Sequence, residues 1–359
     1  MTPVILHREN RGSAVSKVNF DCISNSWNNL FFSFYITITM KNKFLFAGLA
    51  ACMVTGAAAQ QNSEKAEPKG KAIVQVFGNF HTGFGHASDD RGFELDRSYL
   101  GYQYDLGNGL QIKGVMDIGQ SDDVNDYHRI AYIKNAQISW KTGKWTLTGG
   151  LISNTQFNVQ EKFWGYRYIM KSFQDLYKFG NSADLGISAS YKFTDWLSAD
   201  AIVVNGEGYK KVQKNDGLMY GLGTTLTPTK NLTMRVYYGL NEGADETKKD
   251  IQNLATFIGL KLDWFSLGAE YNWMWNAKNV EGDDYKGWSI YGNAKLNKNV
   301  DSYIRFDHCS DDRSGLIAGV QCKLGKYVKI APNFRMNYKE TDGGESFTYM
   351  GYISCYFGF

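Results

Sequence analysis

Beyond residue 59 the chain carries four histidines, His81, His86, His128 and His308, and three cysteines, Cys309, Cys322 and Cys355. These are the side chains that could act as general base, thiolate nucleophile or soft metal ligand near neutral pH. None stands in a nucleophile motif, and no CxxC or other metal-ligand spacing occurs. Cys322 and Cys355 fall on apolar faces of extended segments, where they read as small hydrophobes. An outer-membrane hydrolase would need a nucleophile, a base and an orienting acid brought together, and no such set is legible. No catalytic residue, metal or other cofactor is expected. What the residues do support is electrostatic chemistry, because charges recur on one side of successive segments.

The densest charge lies in a stretch that breaks the pattern around it, "SNTQFNVQEKFWGYRYIMKSFQDLYKFGNS", Ser153 to Ser182. It is too long for an idle connection. Phe163, Tyr166, Met170, Phe173 and Tyr177 recur at intervals of three and four, which predicts a short amphipathic helix. Lys162, Arg167, Lys171 and Lys178 stand there against Glu161 and Asp175. The apolar stripe needs a surface to lie on. A loop helix packed on neighbouring loops is one solution, and a loop folded against the inside of a barrel, narrowing it, is the other.

The elements around this stretch are extended. Segments of about ten residues alternate apolar with polar, the length that a tilted strand needs to cross a bilayer. "LQIKGVMDIG" sets Leu110, Ile112, Met116 and Ile118 against Gln111, Lys113, Val115 and Asp117. "LTMRVYYGL" and "FSLGAEYNWMW" repeat the division, and charges almost never enter the apolar face. The alternation assigns Arg97, Lys113, Lys141, Lys192, Arg235, Lys261, Lys295, Arg305, Lys323, Lys329 and Arg335 to the polar, lumen-facing side. Asp117, Asp200, Asp263, Glu270, Asp301 and Asp307 are the acids there.

Short turns at Gly107–Gly109, Thr142–Lys144, Thr194–Trp196, Pro228–Asn231, Asp263–Trp264, Asn297–Asn299 and Gly325–Lys326 alternate with longer polar loops. The loops are His86–Arg91, Ser121–Arg129, the long third one, Glu207–Asp216, Asn241–Asn253, Asn276–Lys286, Ser310–Ser314 and Lys339–Glu345. The expected fold is all-β: a transmembrane antiparallel barrel of about 16 strands over 71–359, its long third loop folded into the pore. Trp140, Trp145, Trp196, Trp264, Trp273, Trp275 and Trp288 suit two aromatic girdles. A soluble β-sandwich is the competing architecture. The last segment, "GYISCYFGF", keeps Phe347, Tyr349, Gly351, Ile353, Cys355, Phe357 and Phe359 on one face. Such a strand can pair with the first and remove the open edge. The terminal Phe359 resembles the signal read by the machinery that inserts outer-membrane barrels.

Aromatic residues make up 15% and the chain has 38 glycines but 4 prolines, which fits strands better than helices. Mean hydropathy of −0.38 does not exclude a membrane, since every second barrel residue faces water. "MKNKFLFAGLAACMVTGAAAQQ" from Met40 has basic, apolar and small-residue regions in the order of a secretory signal peptide. Residues 40–59 are thus expected to be removed before Gln60, residues 1–39 to reflect a misassigned upstream start, and 60–70 to be a polar lead-in. "LAAC" at Leu49–Cys52 is a competing lipobox. Taking Arg8, Arg11, Lys17, Lys41, Lys43, Glu9 and Asp21 from totals of 39 bases and 36 acids leaves 34 of each. That balance gives a nucleic-acid partner no support.

The strand pattern over Lys71–Phe359 resembles the phosphate-selective porin O and P family. The resemblance rests on Arg167-Tyr168-Ile169-Met170 inside the long loop, Asp184-Leu185-Gly186 opening the next strand, and "FELDRSYLGY" at Phe93–Tyr102. It implies sixteen strands, a pore-folded third loop and a homotrimer. That family places bases along strands four and five, where this chain has Ser139, Thr148 and Ser153, while Arg97 is kept on strand two.

The expected function is that of a general porin in the outer membrane of a Gram-negative bacterium, passing small hydrophilic solutes with a weak anion preference. A phosphate-specific channel and an adhesin or structural barrel are the alternatives. The expected constriction residues are Glu161, Lys162, Arg167, Lys171, Asp175 and Lys178. Arg97, Lys113, Arg235, Lys261, Arg305, Lys329 and Arg335 are expected on the lumen wall.

Overall fold

The computed structural model describes residues 69–120, 129–213, 216–245, 247–341 and 344–359. The leader, the alternative lipobox, nearly all of the polar lead-in and all but Arg129 of the loop expected at Ser121–Arg129 lie outside the described residues.

Sixteen antiparallel strands close into one barrel, each paired with its neighbours in sequence. They are β1 Lys69–Phe84, β2 Arg91–Gly107, β3 Leu110–Gly119, β4 Ile130–Thr142, β5 Trp145–Ser153, β6 Ala183–Lys192, β7 Leu197–Val204 and β8 Met219–Thr229. The second half comprises β9 Leu232–Asn241, β10 Ile251–Lys261, β11 Phe265–Trp275, β12 Tyr285–Lys295, β13 Val300–Cys309, β14 Arg313–Leu324, β15 Val328–Thr341 and β16 Gly344–Gly358. β16 pairs with β1 from Gln75 opposite Gly358 to Phe84 opposite Tyr349. Phe359 completes the seam: its N–H donates to Val74 O at 2.9 Å, and its carbonyl accepts from Val74 N at 3.2 Å.

Side-chain exposure follows the alternation. On β16, Phe347, Tyr349, Ile353 and Phe357 are exposed on the outer surface while Met350 and Ser354 are buried inside. Aromatic side chains form two belts. Trp145 packs on Tyr191 at 4.6 Å on the short-turn side, where Trp196 and Trp264 are also exposed. Trp273 stacks on Trp275 at 4.4 Å on the loop side.

The structure departs from the sequence reading in three places. The stripe over Phe163–Tyr177 is not one helix but two, α1 Asn158–Trp164 and α2 Phe173–Leu176. Gly165 ends α1 in the left-handed region, φ 72°, its N–H donating to Glu161 O. The loop expected over Lys339–Glu345 is mostly strand, since β15 and β16 stay paired as far as Thr341 opposite Gly344. Bulges also break the alternation twice. Asp96 is an extra residue between Leu95, opposite Gly78, and Arg97, opposite Phe77. Lys134 is extra between Ile133, opposite Met116, and Asn135, opposite Val115. A bulge turns two successive side chains to the same face, so Asp96 with Arg97, and Lys134 with Asn135, all point inward.

The outer face predicts a depth-dependent response to charge. Ile304, 55% exposed in mid-β13, faces outward, whereas Ser188 on β6 faces inward. Ile304→Arg should lower unfolding stability by about 2–4 kcal/mol, and Ser188→Arg by less than about 1 kcal/mol. Urea unfolding in lipid vesicles measures both, and equal costs would contradict a lipid-facing β13.

Candidate functional site

The inner surface is divided by side-chain size. Strands β10, β11, β12 and β14 carry inward glycines, and the third loop seats its aromatic rings there. A Cβ on Gly259 would come within 2.5 Å of the Phe163 ring, and one on Gly287 within 2.8 Å of Phe173. Phe163 packs on Phe257 at 5.1 Å, Trp164 on Tyr291 at 5.3 Å, and Tyr166 on Tyr303 at 4.8 Å. Further along, Tyr168 lies between Phe77 and Tyr356 and donates to Gln321 Oε1 at 2.9 Å. The apolar stripe has therefore found the inner wall, with the loop folded into the barrel.

Three of the arginines expected on the lumen wall hold this loop by its backbone. Arg235 on β9 is bidentate to Asp200, at 2.7 and 2.9 Å, and donates to Thr155 O at 2.7 Å. Arg305 on β13 grips Asp307 at 2.8 and 2.6 Å and donates to Lys171 O at 2.6 Å. Arg335 on β15 donates to Ile169 O at 2.8 Å and lies 3.6 Å over the Tyr352 ring. Arg235 and Arg305 are almost wholly buried, so their charge is spent on loop and carboxylate. Lys261 ends β10, exposed at the short-turn rim, and Lys329 lies 5.8 Å over Tyr168 of the loop and 5.1 Å over Tyr356. Of the expected acids, Asp263 lies in the turn between β10 and β11, not on a strand.

Across from this bulky half, the inward positions are small. Ser139 and Thr148 share a hydrogen bond at 3.1 Å, and Gln137 donates to Ser139 at 3.2 Å. Ser188 and Ser190 continue this face on β6. It is the open side of the barrel, and cations border it. Arg97 Nη1, Lys134 Nζ and Arg167 Nη2 all donate to Tyr99 Oη, at 3.3, 3.1 and 3.2 Å. Thus the tip of the third loop is tied to the β2–β4 wall. Lys113 projects inward beside them on β3, half-buried.

Within the loop, Arg167 Nη1 bridges Asp175 at 2.5 Å and Glu161 at 3.1 Å. Burial alone would raise the Asp175 carboxyl, but Arg167 and Lys171 outweigh it and hold it below the ordinary aspartate value. Enclosure by protein lowers the Lys171 ammonium, although its surface is open to the lumen. Asp175 opposes that shift, and Arg97, Arg167 and Lys210 add to it. Lys162 and Lys178 are exposed and take no part in the clasp.

Sequence reasoning missed Lys134 and Asp96, because a strict alternation places one residue of each bulge on the wrong face. No sequence signal marks either bulge. Among the histidines, His308 Nδ1 meets Ser314 Oγ at 2.9 Å across β13 and β14, with no carboxylate orienting the ring among the described residues. His81 contacts Asn79 and Asp90.

No protein-family model matches this chain, and no curated protein matches it. Solved structures do. OmpF of Salmonella typhi, in complex with daunomycin, superposes with a TM-score of 0.62 at 10% identity, covering 81% of this chain and 98% of that one. The anion-selective porin of Comamonas acidovorans gives 0.62 at 12%, over 82% and 100%. OmpT of Vibrio cholerae gives 0.57 at 13%, over 83% and 100%. What is shared at these identities is the sixteen-strand porin barrel.

Two outcomes follow from the clasp. Arg305→Ala leaves Asp307 buried without its partner and Lys171 O without its donor, and should cost about 3–5 kcal/mol. A lowered thermal unfolding midpoint with increased current noise would show it; an unchanged midpoint would contradict the staple. Acid should release the tip late. Because Asp175 titrates below 3.8 in the folded protein, its stabilisation is complete above that value and is lost as pH falls through the depressed one. Current noise measured against pH should stay flat down to about pH 4 and rise below it.

Proposed function

We propose that the protein is a general porin of a Gram-negative outer membrane, letting small hydrophilic solutes and ions diffuse through with a weak preference for anions. The observation that carries this is the lining of the open side. Arg97, Lys113, Lys134, Arg167 and Lys171 border it against Asp117, Glu161 and Asp175, while Arg235, Arg305 and Arg335 are used in holding the loop. Selectivity in a wide pore follows the charge left free at its narrowest section. The porin-like fold supports a channel, and the anion-selective porin among its structural neighbours shows that this architecture accommodates such a preference.

Several linked readings belong to the same proposal. Residues 40–59 direct export, residues 1–39 precede the true start, and β16 ending in Phe359 is recognised by the barrel insertion machinery. In the membrane the protein is a homotrimer, a form that the in-vitro folded OmpT of Vibrio cholerae also takes. A phosphate-specific channel is the second reading. It is favoured by the convergence of Arg97, Lys134 and Arg167 on Tyr99 and disfavoured by the uncharged Ser139–Thr148 pair.

Planar-bilayer recording under a KCl gradient tests both. The expected result is stable open steps and a chloride-to-potassium permeability ratio of about 2. A reversal potential marking potassium as the more permeant ion would overturn the anion preference. Block by sub-millimolar phosphate would favour the specific channel over the general one.

A further inference from the structure

The fourth long loop, which joins β7 to β8, also enters the barrel. Its first turn is strapped to the far end of the third loop through one buried carboxylate. Asp184 Oδ2 accepts from Gly206 N at 2.7 Å and Gly208 N at 3.0 Å, and its Oδ1 accepts from Leu185 N at 2.7 Å. Asn181 Nδ2 donates to Gly206 O at 2.9 Å, and Tyr209 N donates to Ala183 O at 2.9 Å. The strap is tight, since a Cβ at Gly208 would come within 2.7 Å of the Asn181 side chain. These bonds aim Tyr209 and Lys210 across the lumen at β3 and β4.

Tyr209 Oη donates to Asp117 Oδ2 at 2.5 Å. Burial and the Asp117 carboxylate both push the Tyr209 phenol up, so it keeps the proton it donates. Lys210 Nζ lies 4.9 Å over the Tyr132 ring. The other oxygen of Asp117 takes Arg97 Nε at 3.3 Å, and Arg97 in turn meets Tyr99, the residue on which Arg167 of the third loop closes. The two loops are thereby joined through Asp117, Arg97 and Tyr99. Arg97, Lys171, Asp175, Tyr209 and Lys210 line one cavity of about 920 Å³.

We infer that the constriction is built by two loops: Lys210 of the fourth loop is a selectivity-determining charge of the pore, and Tyr209 and Asp184 are the positioning residues that hold it there. This rests on the porin reading, and it extends the determinant of ion preference beyond the third loop. Lys210 sits where field lines are focused between low-dielectric walls, so reversing its charge acts on every permeating ion.

The test is the permeability ratio in a low-salt KCl gradient, measured on full-length protein purified folded from membranes. Lys210→Glu should lower the chloride-to-potassium ratio about twofold. Tyr209→Phe removes only the latch hydroxyl and leaves every charge in place. It should shift the ratio in the same direction, a change that a purely structural tyrosine would not produce. Lys298→Glu, on an exposed lysine in the short β12–β13 turn outside that cavity, is the control and should leave the ratio nearly unchanged. If Lys210→Glu leaves the ratio at the wild-type value, or Lys298→Glu shifts it equally, the two-loop constriction is overturned while the pore stands. A folded wild-type barrel that passes no current would overturn the pore reading itself.

Discussion

A sheet inside hydrocarbon can have no free edge, because each unpaired N–H or C=O there costs several kcal/mol. Everything else in this molecule depends on the β1–β16 seam that removes the edge. The seam runs to the last residue, where Phe359 exchanges both backbone hydrogen bonds with Val74. Closure fixes which side chains face inward on all sixteen strands, and with that it decides where a loop can dock and where water can pass.

Closure also creates an interior too wide for wall side chains alone, and the third loop fills half of it. Its aromatic rings enter sockets made by glycines, as at Gly259 and Gly287, and are backed by Tyr291, Tyr303 and Phe257. Apolar burial supplies the attraction, but loop carbonyls facing the wall would be left without donors. Arg235, Arg305 and Arg335 supply those donors; the buried charges of Arg235 and Arg305 are balanced by Asp200 and Asp307, while Arg335 also donates to the Asn333 amide oxygen. The other half of the wall stays small, hydroxylated and open.

The charges then fall into two groups with different work. One group is consumed in fastening, and its members are buried and paired. The other borders the open side, where Tyr99 gathers Arg97, Lys134 and Arg167. A simple count of inward bases mixes the groups and overstates the field in the passage. Asp117 belongs to both, since it balances Arg97 while receiving Tyr209 from the fourth loop.

The amino-acid sequence by itself determined the barrel. Period-two alternation, the short and long connections and the apolar face ending at Phe359 are local properties of consecutive residues, and pairing between sequence neighbours needs nothing else. It also made plain that Phe163, Tyr166 and Phe173 needed a surface to lie on. What it could not decide was the function of each inward charge. Arg235 and Arg97 look alike along their strands. One is buried against Asp200 and the backbone of Thr155, and the other borders the lumen, because the loop covers one half of the wall and not the other. The bulges at Asp96 and Lys134 shift the inward face by one residue, and Tyr209 reaches Asp117 over a separation of 92 positions. Contacts at such range exist only once the cylinder has closed, so only the tertiary structure assigns them.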